Sequence, residues 1–354
     1  MSIILAVVGI LVSCYLLSIV CDRYFVESLD EIAKRRKLSD DVAGATLMAV
    51  GSSAPEFFTA LIALFHGGRV GLGAGTIIWS AIFNILVIIW VSALFLRVRL
   101  DKKALIRDAF FYALAIGLVF WSFQNGAVSS MEAIVFLLLY VVYILFLRQS
   151  NSVSYEGSDT VKRVEEEIIH DEKVLETKFF LFRRVDYLID LSFPAVGRRG
   201  WYVITFVISI VWIGVLSWLL VESGIAVASS LGISEVIIWL TVLAAGTSVP
   251  DLLSSVIVAK QGRGDMAVTN ALGSNIFDIC ICLWLPWLIY TIWHWNVHVQ
   301  TADLTTSVSL LLGVLFFVFS TFVVTRFRIF RGVGIIFLIT YLIYLGRAIW
   351  SAVG

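Results

Sequence analysis

Ten apolar runs, beginning near residues 3, 41, 70, 106, 128, 201, 232, 266, 303 and 332, each approach the length of helix that crosses a bilayer. A hydrocarbon core of about 30 Å takes about 20 helical residues, and inside it every backbone polar group must be bonded within the protein. Runs this long and continuous predict helices, so the expected fold is an all-α polytopic membrane protein with ten transmembrane helices. Composition agrees: 60% of the 354 residues are hydrophobic and 15% charged, against roughly 45–50% and 25% in soluble domains. The first run, Ser2 to Val20, lacks a basic leader and a small-residue cleavage site, and is expected to be a retained span.

Lysine and arginine give the expected direction of threading, because cytoplasmic loops retain them. With the N-terminus outside, alternate loops carry 5 (Arg23 to Lys37), 5 (Arg97 to Arg107), 9 (Arg148 to Arg199), 2 (Lys260, Arg263) and 3 (Arg326, Arg328, Arg331), which places 24 of 26 inside. Arg69 and Arg347 alone fall outside, and both termini are then external. The one long polar stretch, 148–199, is a cytoplasmic linker in this plan. It separates a first five-helix unit, 1–147, from a second, 200–354. Its Glu165-Glu166-Glu167 cluster reads as a solvated helix face rather than a sensor. The net charge of zero leaves no basic excess for nucleic acid. Cys14, Cys21, Cys280 and Cys282 lie in apolar runs without zinc-ligand spacing and read as small core residues.

The two halves repeat one pattern. Gly44-ATLMAVGSSAPEFFTA-Leu61 matches Trp239-LTVLAAGTSVPDLLSS-Val256 at an offset of 195, and Ser80-Ala-Ile-Phe-Asn84 matches Ser274-Asn-Ile-Phe-Asp278 at 194. The repeated regions are 41–95 and 235–290. Five spans per half is an odd number, so the copies enter the membrane from opposite sides as inverted repeats. Many secondary transporters are built this way, with the substrate near the midplane at the repeat interface.

Pro55 and Pro250 occupy equivalent places in these runs. Proline removes an N–H and clashes with the carbonyl four residues back, here Gly51 and Gly246. Broken helices at membrane depth are tolerated where they line a cavity, and their carbonyls can coordinate cations. Each proline is followed by an acid, Glu56 or Asp251, and Asp278 lies opposite Asn84. Carboxylates at this depth cost several kcal/mol without a partner or water, and no lysine or arginine lies in the apolar stretches 41–65, 70–95, 235–259 and 266–292 that carry these residues. A bound cation is the expected partner. Ser52, Ser53, Ser80, Thr247, Ser248 and Ser274 add oxygens, and an all-oxygen set suits Ca²⁺, Na⁺, K⁺ or Mg²⁺ rather than zinc or copper. Three carboxylates are best balanced by three positive charges, such as one Ca²⁺ with one K⁺, or several Na⁺.

The stretches GSSAPEFFTALIALF with GTIIWSAIFN, and GTSVPDLLSSVIVAKQGRGDMAVTNALGSNIFD, resemble the two alpha repeats of sodium/calcium exchangers. Asp251 and the GSNIFD ending at Asp278 are most similar to the potassium-dependent branch. The resemblance spans nearly the whole chain apart from the linker. It implies an electrogenic antiporter, not an enzyme, in which sliding of the first and sixth spans opens one acidic midplane site to either side. By resemblance Glu56 and Asp251 bind Ca²⁺ in competition with Na⁺, and Asp278 supports K⁺. Ser53, Ser80, Asn84, Ser248 and Ser274 give side-chain oxygens, and Ala49, Ser52, Ala244 and Thr247 give carbonyls. The implied partners are inorganic cations and lipid, with no cofactor, nucleic acid or obligate protein partner.

Tryptophan departs from this pattern. Trp79 stands where the other copy has Gly273, and Trp239 where it has Gly44. Exchangers usually carry glycine at both places and at the matched pair Trp90 and Trp284. Indoles there are expected to overpack the site beside Ser80, at a cost of about 1–3 kcal/mol or more each, unless the codon is translated as glycine in the source cell. His294 and His298 have i,i+4 spacing but no accompanying acid, which argues against a metal pair. A Ca²⁺/H⁺ antiporter of the same superfamily is the alternative function. An intramembrane hydrolase is disfavoured because GxSxG and HExxH are both absent. A plasma membrane or bacterial inner membrane is the expected location.

Overall fold

The structure is a computed structural model that describes residues 3–35, 50–65, 70–95, 98–124, 126–149, 189–193, 201–233, 235–260, 264–294, 297–298 and 301–353. Ala49, Gly44 and most of the 148–199 linker, including Glu165 to Glu167, lie outside these residues. The described residues are almost wholly helical. Among the described residues, eight helical stretches are long and apolar enough to cross a membrane: Ile3–Phe25, Gly73–Leu94, Lys102–Phe123, Ser130–Leu147, Tyr202–Leu231, Ala267–Ile292, Leu304–Val324 and Arg331–Trp350.

The runs near 41 and 232 take a different form, because each is interrupted where its proline falls. In the first half, the helix at 50–52 stops at a turn on Ser53 and restarts as Ala54–Phe65. In the second half, Ala244–Thr247 ends at Ser248 (φ −84°, ψ 5°), and helix resumes as Val249–Lys260. Pro55 and Pro250 sit inside the first turn of the new helices, where a missing N–H is tolerated.

We number the elements that position the site as α1 (Ile3–Ile19), α2 (Ala54–Phe65), α3 (Val70–Phe83), α4 (Lys102–Phe123), α5 (Ser130–Gln149), α6 (Tyr202–Leu231), α7 (Val249–Lys260), α8 (Gly264–Phe277), α9 (Trp284–His294), α10 (Thr301–Val324) and α11 (Arg331–Val353). Among the described residues, four π-helical stretches interrupt the regular helix: Val20–Val26, Asn84–Ile88, Trp239–Leu243 and Asp278–Leu283. Two of them begin on matched residues of the repeat, Asn84 and Asp278.

Burial follows a membrane pattern. On α6, Val203, Val207, Val211, Val215 and Trp218 form an exposed apolar stripe, while Thr205, Ser209, Ser217 and Ser223 are buried. Apolar surface outside and small polar residues at the helix contacts is the arrangement expected when lipid is the solvent. Ser209 satisfies its hydroxyl on the Thr205 carbonyl at 2.8 Å. Buried apolar side chains fall into two groups. One joins α1 and α6 with Ile189 and Phe193, and the other fills the body formed by α3, α4, α5 and α8 to α11.

Among the described residues, two short antiparallel ladders tie the halves together. Val98–Arg99 pairs with Arg328–Ile329, and Ala127–Val128 pairs with Val297–His298. His298 therefore lies in a strand while His294 ends α9, so the two histidines do not share a helix. No disulfide links the four cysteines.

Candidate cation site

The proline-linked breaks bring the start of α2 and the start of α7 together with the π-helical turns of the two other repeated spans. Glu56, Asp251 and Asp278 are fully buried there, as are Ser53, Ser80, Asn84, Thr247 and Ser248. Ser52 and Ser274 are buried too. The three carboxyl groups lie close enough to act on one another electrostatically. No lysine, arginine or histidine occurs in 50–65, 70–95, 244–259 or 264–292.

Each break joins oxygens from both halves. The Ser248 hydroxyl donates to Glu56 Oε1 at 3.1 Å and the Ser80 hydroxyl reaches the same oxygen at 3.4 Å, the two hydroxyls being 2.6 Å apart. Asp251 Oδ2 accepts from Asn84 Nδ2 at 2.8 Å, with Ser52 and Ser274 beside the same carboxyl. Ser53 and Cys282 stand beside the Asp278 carboxyl. The Thr247 hydroxyl donates to the Ala244 carbonyl at 3.3 Å, and the Ser248 amide to the same carbonyl at 3.4 Å.

At the site, Glu56 Oε2, Asn84 Oδ1, both oxygens of Asp278 and the hydroxyls of Ser52 and Ser53 have no hydrogen bond of standard geometry among the described residues. A buried acceptor without a donor is costly. All are oxygens and none has a basic neighbour in sequence, the chemistry that suits a hard cation.

One residue absent from the expected set orients another that is in it. Asn275 Nδ2 donates to the Ala81 carbonyl at 2.9 Å and to Tyr112 Oη at 3.2 Å. A backbone carbonyl only accepts, so this contact fixes the Asn275 amide with Oδ1 pointing the other way, where it receives Asn84 Nδ2 at 3.0 Å. Both Asn84 N–H groups are then used, on Asn275 and Asp251, and Asn84 Oδ1 is the atom left for a ligand. The internal repeat gave no hint of this, since the counterpart of Asn275 is Ala81.

Trp79 does not displace Ser80. Its indole is buried and packs against Tyr344 of α11, ring centroids 4.3 Å apart, leaving the neighbouring hydroxyl at Glu56. Trp284 is fully buried and stacked on Phe136 at 4.0 Å. The indole N–H of each has no hydrogen-bond acceptor among the described residues. Trp90 borders Gly334 so closely that a Cβ added there would lie 3.1 Å from the Trp90 carbonyl oxygen. The side chain of Trp239 lies outside what the structure describes. Across the repeat, a Cβ added at Gly273 would meet only the Tyr143 hydroxyl, at 3.7 Å.

Comparison with known proteins bears on this arrangement. A family model described as sodium/calcium exchanger protein matches residues 6–148 and 201–350. Mouse sodium/potassium/calcium exchanger 4 is 28% identical over 97% of this chain and 80% of its own length. Human sodium/potassium/calcium exchanger 2 is 28% identical over 97% of this chain and 77% of its own length. Among solved structures, the sodium-calcium exchanger NCX_Mj soaked with 100 mM Na⁺ and 10 mM Sr²⁺ superposes with a TM-score of 0.60 at 25% identity, covering 97% of this chain and 98% of that one.

Proposed function

The chain belongs to the sodium/calcium exchanger family, and on that footing we propose that it is a multi-pass membrane antiporter exchanging Na⁺ for Ca²⁺, with K⁺ carried alongside Ca²⁺. The observation that carries this is the set of three buried carboxyl groups, contributed by both halves and lacking any basic residue in their segments. Glu56 and Asp251 hold Ca²⁺ in competition with Na⁺, with Ser53, Ser80, Asn84, Ser248 and Ser274 as further side-chain donors. Ala49, Ser52, Ala244 and Thr247 supply carbonyls. Asp278 holds the extra positive charge, and the names of the sodium/potassium/calcium exchangers support K⁺ for that role. The ions are substrates, and no cofactor or enzymatic step is part of the proposal.

In the proposed topology, ten spans form two inverted five-helix units, 1–147 and 200–354, joined by the cytoplasmic linker 148–199. The two ladders support it, because each joins connections that the charge count assigns to one side: 98–99 with 328–329 inside, and 127–128 with 297–298 outside. Both termini are then external, in a plasma membrane or bacterial inner membrane. The separate apolar cluster around α1 and α6 supports movement of that pair against the body as the step that exposes the site alternately.

The test is reconstitution in liposomes with an outward Na⁺ gradient and radioactive Ca²⁺ outside, with and without K⁺. Uptake that needs the Na⁺ gradient and external K⁺ is the expected result. Uptake driven by a pH gradient and indifferent to Na⁺ would replace the proposal with Ca²⁺/H⁺ exchange, and Ca²⁺ flux without any counter-ion would make the protein a channel.

A further inference from the structure

Among the side chains around the three acids, Cys282 is chemically out of place. It is fully buried, lies in the π-helical stretch that starts at Asp278, and directs its thiol at the Ser53 carbonyl with Sγ to O of 3.6 Å. The Asp278 carboxyl is beside it, with both oxygens buried and without a standard hydrogen bond. The equivalent position in the first half is Ile88, so the thiol belongs to one half only. Every other donor proposed above is a hard oxygen.

We propose that Cys282 and Asp278, with the Ser53 carbonyl, form a subsite for a soft divalent cation, represented by Cd²⁺. This rests on the cation-site reading above and extends it to an ion that the oxygen set alone would not favour. A thiolate discriminates for soft ions, whereas carboxylate and carbonyl oxygens suit Ca²⁺. On binding, the thiol proton passes to water, and sulfur and one carboxylate oxygen take two positions on the ion. Among the described residues no three His, Cys, Asp or Glu side chains converge as a ready-made metal cluster. The subsite is accordingly one that a soft ion occupies in competition with the transported cations, not a resident metal centre.

The experiment uses the full chain in detergent and in liposomes. A triple variant, Cys14→Ser with Cys21→Ser and Cys280→Ser, leaves Cys282 as the sole thiol. Cadmium chloride added to this variant is expected to produce thiolate-to-cadmium charge-transfer absorbance that Ca²⁺ suppresses, and adding Cys282→Ser is expected to abolish it. In liposomes, Cys282→Ser should raise the Cd²⁺ concentration that halves Ca²⁺ uptake by about tenfold relative to the parent, the equivalent of about 1.4 kcal/mol. Absorbance that survives loss of Cys282, or an inhibitory concentration within about twofold of the parent, would overturn the proposal. If Cys282→Ser does not fold, Cd²⁺ protection of the single-thiol variant against a methanethiosulfonate reagent decides instead, and labelling unaffected by Cd²⁺ rejects the subsite. The absorbance needs no transport, so its presence without Na⁺-driven uptake would sink the exchanger proposal while leaving the metal subsite standing.

Discussion

The two repeated segments share a backbone design but not a charge. In each, a serine turn precedes a proline and an acid, and in each the following span loosens into π-helix at its matched polar residue, Asn84 in one and Asp278 in the other. Asn84 is a donor on one edge and spends both N–H groups, on Asp251 at 2.8 Å and Asn275 at 3.0 Å. Asp278, when ionised, has nothing to donate and keeps two buried oxygens without standard hydrogen bonds. One near-isosteric exchange therefore converts a clamp that links the halves into a second-half acceptor. The π turns suit both uses, since widened turns shift side chains out of ordinary helical register and recur at functional sites.

The strongest way to break the comparison is to remove the charge the halves have in common. Glu56→Gln and Asp251→Asn each keep shape while deleting a carboxylate, and losing one partner of a buried charge pair costs about 3–5 kcal/mol. Either variant should reduce Na⁺-driven Ca²⁺ uptake by two or more orders of magnitude. Uptake within about tenfold of the parent, a loss of no more than about 1.4 kcal/mol, would show that the site lies elsewhere.

The next contrast is Trp79 against Gly273. Removing a buried aromatic side chain typically costs about 3–5 kcal/mol, and Trp79 packs on Tyr344 at 4.3 Å. Trp79→Gly should therefore lower the thermal midpoint clearly. Peptide mass spectrometry on protein from its native cells reads residue 79 directly: tryptophan keeps the two halves different there, and glycine gives both halves a small residue before the matched serines Ser80 and Ser274. A Trp79→Gly protein at least as stable as the parent would point the same way as the glycine peptide.

Much of this was legible in the residues. Long apolar runs, the paired Ser-x-Pro-acid pattern and the lack of basic residues in the stretches around the three acids are covalent facts that lipid and proline geometry turn into structure almost without choice. Among the described residues eight of the expected spans appear as long apolar helices, and the runs bearing Pro55 and Pro250 as interrupted ones. The π turns carried no such signal, because no residue type marks them and the apolar pattern around Asn84 reads equally well as α-helix. Asn275 was hidden for a different reason. Its work depends on a carbonyl 194 positions away, at Ala81, and a contact of that kind exists only once the fold has closed. Tryptophan was legible as a departure, but its outcome depended on whether Tyr344 and Phe136 left room for the rings.

Asn275 sharpens the comparison at a smaller scale. Asn275→Ala removes the acceptor that orients Asn84 and strands an Asn84 N–H, a loss of about 1–3 kcal/mol for a buried group. Because Asn84 can then rotate, the expected signature is weaker Ca²⁺ affinity, about tenfold in KM, with maximal uptake much less affected. Equal loss in both quantities would mean that Asn275 supports the fold rather than the ligand geometry. Asn275→Gln, which keeps an amide but moves it by a methylene, should recover only part of the affinity.

The smallest change makes the halves alike. Asp278→Asn places at the second π turn the residue already present at the first, deleting one negative charge with almost no change in volume. Two carboxylates then remain, enough to balance one Ca²⁺, and the third positive charge loses its counterpart. The expected result is Na⁺-driven Ca²⁺ uptake that no longer responds to external K⁺, with a loss of rate well below that of Asp251→Asn. Uptake that still needs K⁺ would place potassium on Glu56 or Asp251. Complete loss of uptake would instead mean that all three acids hold the same ion, and that the difference between Asn84 and Asp278 sets affinity rather than which cations travel together.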